Sequence, residues 1–331
     1  MRVLLVTSWD TNCGIASHSQ ALKESVEAAD SGIEVIPSSE ALDPSWVWQQ
    51  VTYATHTFTL VHLNHHDALH SRWTPDHVQQ LTSQGIPVIV TYHDSRSGAP
   101  GCENSEKLKA FAQVASSVIV HEPVEDLKAV YWRQGVPVAA QQPMDYASEF
   151  DFLAFPQQPV LGTIGFNFPW KQFDELARVT GEEGWALVLL SNDATEADEA
   201  RWRAANSSIL VIRKFLPQDA AINYLAGCDA TAFMYACANN GTSGAIRQGI
   251  AARKPVIALE SCRQFRDLSL DPLGQEAIQW VKNWDELRET LRRIPPTRLD
   301  PMIHALAERE SWKQLGENYA NLYHTLVQGG V

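Results

Sequence analysis

Paired cysteines, long apolar runs and positive charge are all scarce in this chain. The five cysteines, Cys13, Cys102, Cys228, Cys237 and Cys262, follow no paired spacing. An odd, scattered set argues against a disulfide framework and for reduced thiols in a cytosolic protein. The first apolar run, Met1-Arg-Val-Leu-Leu-Val, ends at Thr7. It is too short for a signal segment or a membrane span and reads as a buried strand. The chain has no long apolar run elsewhere, so no membrane span is expected and the cytoplasm is the expected location. A formal net charge of −13 argues against a broad phosphate-backbone surface, so nucleic acid is not the default partner. Gly-x-Ser-x-Gly, the Walker loop, paired-cysteine motifs and Gly-x-Gly-x-x-Gly are all missing. Their absence sets aside serine hydrolases, P-loop NTPases, thiol redox enzymes and the standard nicotinamide fingerprint.

What the chain does have is rhythm. A length of 331 residues suits two domains of about 150 residues each. Short β-rich runs at Val3–Val6, Ile33–Ile36, Leu60–Leu63, Val88–Thr91 and Val118–Val120 alternate with helical patterns at 16–29, 75–84, 104–115 and 123–134. Prolines 137, 143, 156 and 159 break the pattern, which places a linker at 136–158 and a domain boundary near residue 150. A second alternation runs through Val160–Ile164, Ala186–Leu190, Ile209–Ile212, Ala230–Phe233, Val256–Leu259 and 278–281. Its helices are expected at 170–180, 195–204, 218–226, 243–252 and from Trp284. One or two further helices fill 301–327, with Trp312, Leu315, Tyr319, Leu322 and Leu326 at helical spacing. The expected class is α/β: two Rossmann-like, doubly wound parallel sheets, with ligands at the carboxyl ends of the strands.

The richest chemistry falls at those ends. Residues 239–258 read Asn-Asn-Gly-Thr-Ser-Gly-Ala-Ile-Arg-Gln-Gly-Ile-Ala-Ala-Arg-Lys-Pro-Val-Ile-Ala: a small polar loop, a helix, then a strand. Free amides at such a helix start, backed by the helix dipole, suit a phosphate. Gly241 and Gly244 let a ligand come close to the backbone. Asp10-Thr-Asn-Cys-Gly-Ile-Ala-Ser-His offers Gly14 and Ile15 at another strand-to-helix turn. Gly165-Phe-Asn-Phe-Pro-Trp-Lys puts Lys171 where a compact cation can neutralise a diphosphate.

Several histidines also follow strands. His93 and Asp94 close the run Val-Ile-Val-Thr-Tyr. Adjacent residues of an extended segment point apart, so they form no dyad, but His93 can orient a sugar hydroxyl. The stretch His62-Leu-Asn-His-His-Asp-Ala-Leu-His70 matches neither the His-Glu-x-x-His nor the zinc-finger spacing. It is read as one histidine lining a cleft, with the others on loop or surface. His121-Glu122 and Arg213-Lys214 read first as surface charge, although Arg213 could also cradle a base or phosphate.

Taken in order, these pieces resemble the retaining GT-B glycosyltransferases, the superfamily of glycogen synthases and lipid mannosyltransferases. The resemblance rests on Cys13–Ala16, Thr91–Asp94, Ser116–His121, Gly165–Lys171, residues 239–258 and the closing Ser311-Trp312…Tyr319…Tyr323 helix. It implies a nucleotide-sugar donor, UDP- or GDP-linked, held mainly by the second domain. The donor diphosphate would sit on Thr242, Ser243 and Gly244, with Lys171 and the Gly14–Ile15 turn completing the site. His93 would contact the transferred sugar. The acceptor would lie in the first domain, with His65 and Asp94 as candidate contacts. The closing helix would cross back to that domain. The family implies no metal and no other cofactor.

Where many relatives carry two glutamates, this chain has Asn240 and Gln248. Gln248 could still hydrogen-bond a ribose, and Asn240 could contact the sugar by donating as well as accepting. The family's usual arginine beside the lysine is absent, and Arg213 and Arg247 are the candidates to substitute. Two alternatives accompany the leading reading. One is transfer to a modified base in DNA, although a glycan, lipid-linked or small-molecule acceptor fits the acidic charge better. The other is a non-catalytic nucleotide-sugar binder. The sugar-nucleotide epimerases of the same fold fit less well. Trp73 and the Gly98–Cys102 loop are candidates for an acceptor lid.

Overall fold

The computed structural model describes residues 1–53, 58–66, 70–93, 104–122, 124, 127, 129–138, 158–236, 242–294 and 299–329. The chain divides into two compact units. One comprises Met1–Gly135, Asn240–Thr242 and Glu310–Val331, the other Val136–Asn239 and Ser243–Arg309.

Each unit is built on a six-stranded sheet. In the first, β1 (Arg2–Val6), β2 (Glu34–Ser38), β3 (Leu60–His65), β4 (Val88–Tyr92), β5 (Ser117–Val120) and β6 (Val130–Tyr131) lie in the order β2-β1-β3-β4-β5-β6. In the second, β7 (Val160–Ile164), β8 (Ala186–Leu190), β9 (Ile209–Ile212), β10 (Ala230–Phe233), β11 (Val256–Leu259) and β12 (Gln279–Val281) lie in the order β12-β11-β10-β7-β8-β9. All pairings are parallel. Strands buried on both faces of a parallel sheet need continuous apolar runs, which is why they stood out in the sequence.

The order reverses beside the first strand of each sheet: β1 lies between β2 and β3, and β7 lies between β10 and β8. Chains leaving neighbouring strands there diverge to opposite faces and open a crevice at the strands' carboxyl ends. The segments that reach those points are 7–15 and 64–66 in the first unit, and 165–171 and 234–236 in the second.

Two elements differ from expectation. Among the described residues of 123–134 no helix forms, and Val130–Tyr131 is a strand pairing with β5. A β-branched residue next to two aromatics, Tyr131 and Trp132, suits a pleated edge better than a helix. A helix at Pro44–Tyr53 was absent from the alternation; it buries Val47 in the first unit's core. Pro44 opens this helix, where a missing N–H costs nothing.

The 301–327 segment is two helices, Pro301–Arg309 and Trp312–Gln328, with Ser311 capping the second by accepting from the Gln314 amide. The first buries Ile303 and Leu306 in the second unit's core. The second lies along the Gly14–Ala29 helix, burying Trp312, Leu315, Tyr319 and Tyr323 in the first unit. Their close approach depends on Gly316, where any side chain would collide with the Ser25 backbone.

Candidate functional site

In the second unit the loops after β7 and β10 meet at the reversal point. The Ala236 amide donates to the Trp170 carbonyl at 2.8 Å, and the Tyr235 hydroxyl donates to the Ile164 carbonyl at 2.6 Å. A short turn, Pro169–Lys171, ends at Gln172 in the left-handed region, φ 56°. That turn carries Lys171 back across Gly165, whose φ is +151° and whose missing side chain makes the space for the lysine stem. A Cβ at Gly165 would collide with the lysine ammonium. Lys171 is 6% exposed, and its Nζ lies 4.6 Å from the Tyr235 ring centre and 5.4 Å from that of Trp170. Desolvated contacts of this kind hold a cation against aromatic faces. Burial pushes the Tyr235 phenol well above its ordinary value, so the ring is a neutral platform.

The helix expected to bind phosphate runs over Gly244–Ala251, with Ser243 at its N-cap. The Ser243 side chain does not cap it, and its first turn carries no acid. Its opening amides are therefore not engaged by the side chain of the capping residue, and no acid in the first turn repels an anion. Gly249 lets the helix lie against the Phe233 ring of β10. Arg247 points inward from this helix and pairs with Asp267, both being almost wholly buried. It anchors the helix and is not placed to replace a missing phosphate-binding arginine. Arg213 is engaged by Glu199 at 2.9 Å and Glu196 at 3.5 Å, so its charge is already balanced by two carboxylates. Gln248 Oε1 is shut off from solvent and has no hydrogen-bond partner among the described residues. Thr242 donates its hydroxyl to Gln134 Oε1 at 3.1 Å. Asn240 and Gly241 lie outside the described residues, as does Asp94.

In the first unit, Cys13 caps the Gly14–Ala29 helix by accepting from the Ala16 amide. Burial raises its thiol pKa, but hydrogen bonds from Ser8, Thr11 and the backbone of Ala16 and Ile15 outweigh this and lower it. Gly14 is exposed, and a Cβ there would meet nothing within 4 Å. The protein's own packing does not demand a glycine at 14; Ile15 beside it is half-buried.

Strand alternation gathers polar side chains on one face of the first sheet. His62 and Asn64 of β3, Thr91 of β4 and its successor His93, and His121 after β5 all face the Gly14–Ala29 and Trp312–Gln328 helices. His62 bonds through Nδ1 to the Tyr323 hydroxyl at 2.7 Å and through Nε2 to Thr91 at 2.8 Å. Thr91 in turn meets the Tyr319 hydroxyl at 3.2 Å. Burial lowers the His62 pKa to about 3.

His93, 8% exposed, bonds through Nε2 to Asn64 Oδ1 at 2.6 Å. Asn64 donates its amide to Ser19 at 2.7 Å. The His93 ring lies 4.6 Å from that of His18 and 4.8 Å from that of His121. Burial, then the neighbouring His18 and His121, pushes the His93 pKa well below the ordinary value, and burial does the same to His18. His121 and Glu122, read from sequence as surface charge, are both buried. His18 was not singled out in the sequence; the available signal was its place on the inward face of the first helix, one turn after Gly14.

Other residues lie away from these groups. His65 faces the opposite layer, fully buried against Tyr92 and Phe111 at 4.8 and 5.2 Å. That burial withdraws its side chain from any acceptor surface. Trp73, expected as part of a lid, is a core residue whose indole donates to the Ala41 carbonyl at 3.0 Å. The Gly98–Cys102 loop lies outside the described residues. No described helix is long and apolar enough to cross a membrane.

Two parallel sheets with this strand order define an α/β protein of the GT-B fold, and comparison with solved structures agrees. HepE of Anabaena, determined with UDP and glucose, matches at TM-score 0.67 and 14% identity, over 98% of this chain and 100% of that one. AviGT4, a glycosyltransferase involved in avilamycin A biosynthesis, matches at 0.58 and 16%, over 99% of this chain and 98% of that one. A UDP-forming α,α-trehalose-phosphate synthase from Burkholderia xenovorans matches at 0.60 and 8%, over 86% and 77%. At such identities the likeness is one of fold. No protein-family model matches the chain, and no curated protein matches it in sequence.

Proposed function

We propose that this protein is a metal-independent, retaining glycosyltransferase that takes a sugar from a UDP- or GDP-linked donor. The observation that carries the reading is Lys171. It is buried over Gly165 beside Tyr235, at the carboxyl end of β7 and next to the strand-order reversal. A buried ammonium at that point suits a diphosphate leaving group, whose charge grows in the transition state. The uncapped Gly244–Ala251 helix start, entered through Thr242 and Ser243, adds backbone amides. The orphaned Gln248 Oε1 offers an acceptor to a ribose hydroxyl. HepE, of the same fold, was determined with UDP and glucose, which supports the donor class.

On this reading His93 contacts the transferred sugar, held in orientation by Asn64. The acceptor oxygen bonds to the anomeric carbon on the face from which the diphosphate leaves, which gives retention, and its proton passes to a donor phosphate oxygen. A glycan, lipid-linked or small-molecule acceptor suits the net charge of −13 better than DNA does. The protein is proposed to act in the cytoplasm.

The test is nucleotide release from a panel of nucleotide-sugars in EDTA-containing buffer. Release with at least one donor is expected. Lys171→Ala should lower its rate by about 100-fold or more, the scale of losing one group that stabilises transition-state charge. A folded protein that binds UDP or GDP yet releases nothing from any donor would instead support a non-catalytic binder, the reading that Asn240 and Gln248 favour in place of acids.

A further inference from the structure

The histidine cluster of the first unit has a geometry that the transferase reading does not need. We propose that His18, His93 and His121 form a binding centre for one divalent transition metal of the zinc class. Zinc bonds imidazole nitrogen at about 2.1 Å, which puts each ring centre about 3.2 Å from the ion and two rings at the tetrahedral angle roughly 5 Å apart. The three ring-centre separations here are 4.6, 4.8 and 5.6 Å. One ligand nitrogen from each ring lies within 4.8 Å of the other two. Ideal tetrahedral coordination needs about 3.4 Å between nitrogens, so the three rings close further on the ion when it binds.

The surrounding hydrogen bonds fit as well. Histidine ligands characteristically donate their second ring nitrogen to an oxygen, which fixes the tautomer and turns the lone pair toward the metal. His121 Nδ1 lies 2.9 Å from the Trp132 carbonyl, which can only accept, so Nδ1 carries the proton. His93 Nε2 lies 2.6 Å from Asn64 Oδ1, itself oriented by the Asn64 amide on Ser19. These two rings thereby keep an unprotonated nitrogen each. His18 Nδ1 accepts at long range, 3.4 Å, from the Asn64 amide nitrogen, and His18 Nε2 is buried with no hydrogen-bond partner among the described residues. A metal on Nε2 takes the place of its proton, which moves to Nδ1 in exchange for that long contact. The edge of Trp312, with ring centres 4.9 Å apart, holds the His18 ring in place. Three imidazoles and no carboxylate in the ligand set favour zinc, copper or nickel over magnesium or calcium. His93, the most exposed of the three, marks the side from which a fourth ligand would enter.

The test uses the full chain, stripped with EDTA and reloaded with CoCl2 or ZnCl2. One ion per chain is expected, with the visible absorption of four- or five-coordinate cobalt. X-ray absorption of the zinc form should show three imidazoles at about 2.0–2.1 Å. His18→Gln and His121→Gln should each weaken binding by at least about tenfold, and Asn64→Leu by about 10–100-fold, as loss of a ligand-orienting partner does. Binding unchanged in the first two variants overturns the proposal. Fewer than three imidazoles on zinc in the unaltered chain also overturns it, even if the variants fail to fold. None of these readouts depends on turnover. A further consequence rests on the transferase reading: zinc on His93 should suppress transfer and EDTA should restore it. Full turnover at full zinc occupancy would remove His93 from the ligand set.

Discussion

His62 carries a prediction about pH because its two ring nitrogens are both spoken for inside the first unit. Its pKa falls from 6.5 when unfolded to about 3 when folded, and burial places His70 at about 3 as well. Between those values the unfolded chain binds protons that the folded chain refuses. Stability is therefore complete above pH 6.5 and falls as the pH drops, by about 1.4 kcal/mol per pH unit for each such histidine. Urea unfolding at pH 7.5, 6.5 and 5.5 measures this above the carboxylate range. A flat profile would show that these rings are not buried as described. Tyr323→Phe removes the partner of His62 Nδ1 and should cost about 1–3 kcal/mol, the penalty of a stranded buried polar atom. A calorimetric scan reads that loss directly. At the same scale Gly165→Ala should act like Lys171→Ala on nucleotide release, since the methyl takes the lysine's place.

Among the elements, the closing helix matters most to the first unit. The spacing of Trp312, Leu315, Tyr319, Leu322 and Leu326 is enough to announce an amphipathic helix. The buried stripe runs instead through Trp312, Leu315, Tyr319 and Tyr323, with Leu322 and Leu326 only partly covered. A hydrophobicity pattern ranks leucine above tyrosine. It could not know that His62 waits to receive the Tyr323 hydroxyl. Gly316→Ala should push this helix off the Gly14–Ala29 helix, because the obstacle is the Ser25 backbone and not a movable side chain. The expected loss is about 1–3 kcal/mol, as for overpacking in a tight core. Unchanged thermal stability would contradict the packing. The strands of the second sheet were legible nearly residue by residue, because each is a short apolar run closed by polar or turn residues. The 123–134 segment was misread because its apolar positions fit a helical period as well as a strand of two residues, and only pairing with β5 decides.

For the whole molecule, nucleotide binding is the informative measurement. A ligand that binds only the folded state adds about 2.7 kcal/mol at 100 times its dissociation constant. Thermal unfolding with UDP and with GDP should therefore separate the two bases by the size of their shifts. No shift with either nucleotide at millimolar concentration would count against the donor assignment. The fold itself reaches across nearly the full chain, matching HepE over 98% of its length at only 14% identity. A backbone plan of this kind survives such divergence because it rests on apolar periodicity, which many sequences satisfy.

The sequence by itself determined the two parallel sheets, the absence of a long apolar span and the residues that end each strand. These follow from local periodicity and composition, which a single chain displays. It also singled out Lys171, Gly14 and His93, since each follows a strand. Tertiary structure alone decided what these residues meet. It turned Arg247 inward to Asp267, engaged Arg213 with two glutamates, and withdrew His65 and Trp73 into the core. It also joined His18, His93 and His121, which are 75, 28 and 103 positions apart in sequence, in one cluster. The alternation of a strand says which residues share a face, but not which helix covers it. That covering is set by long-range packing, where the partners of a buried charge or ring are chosen.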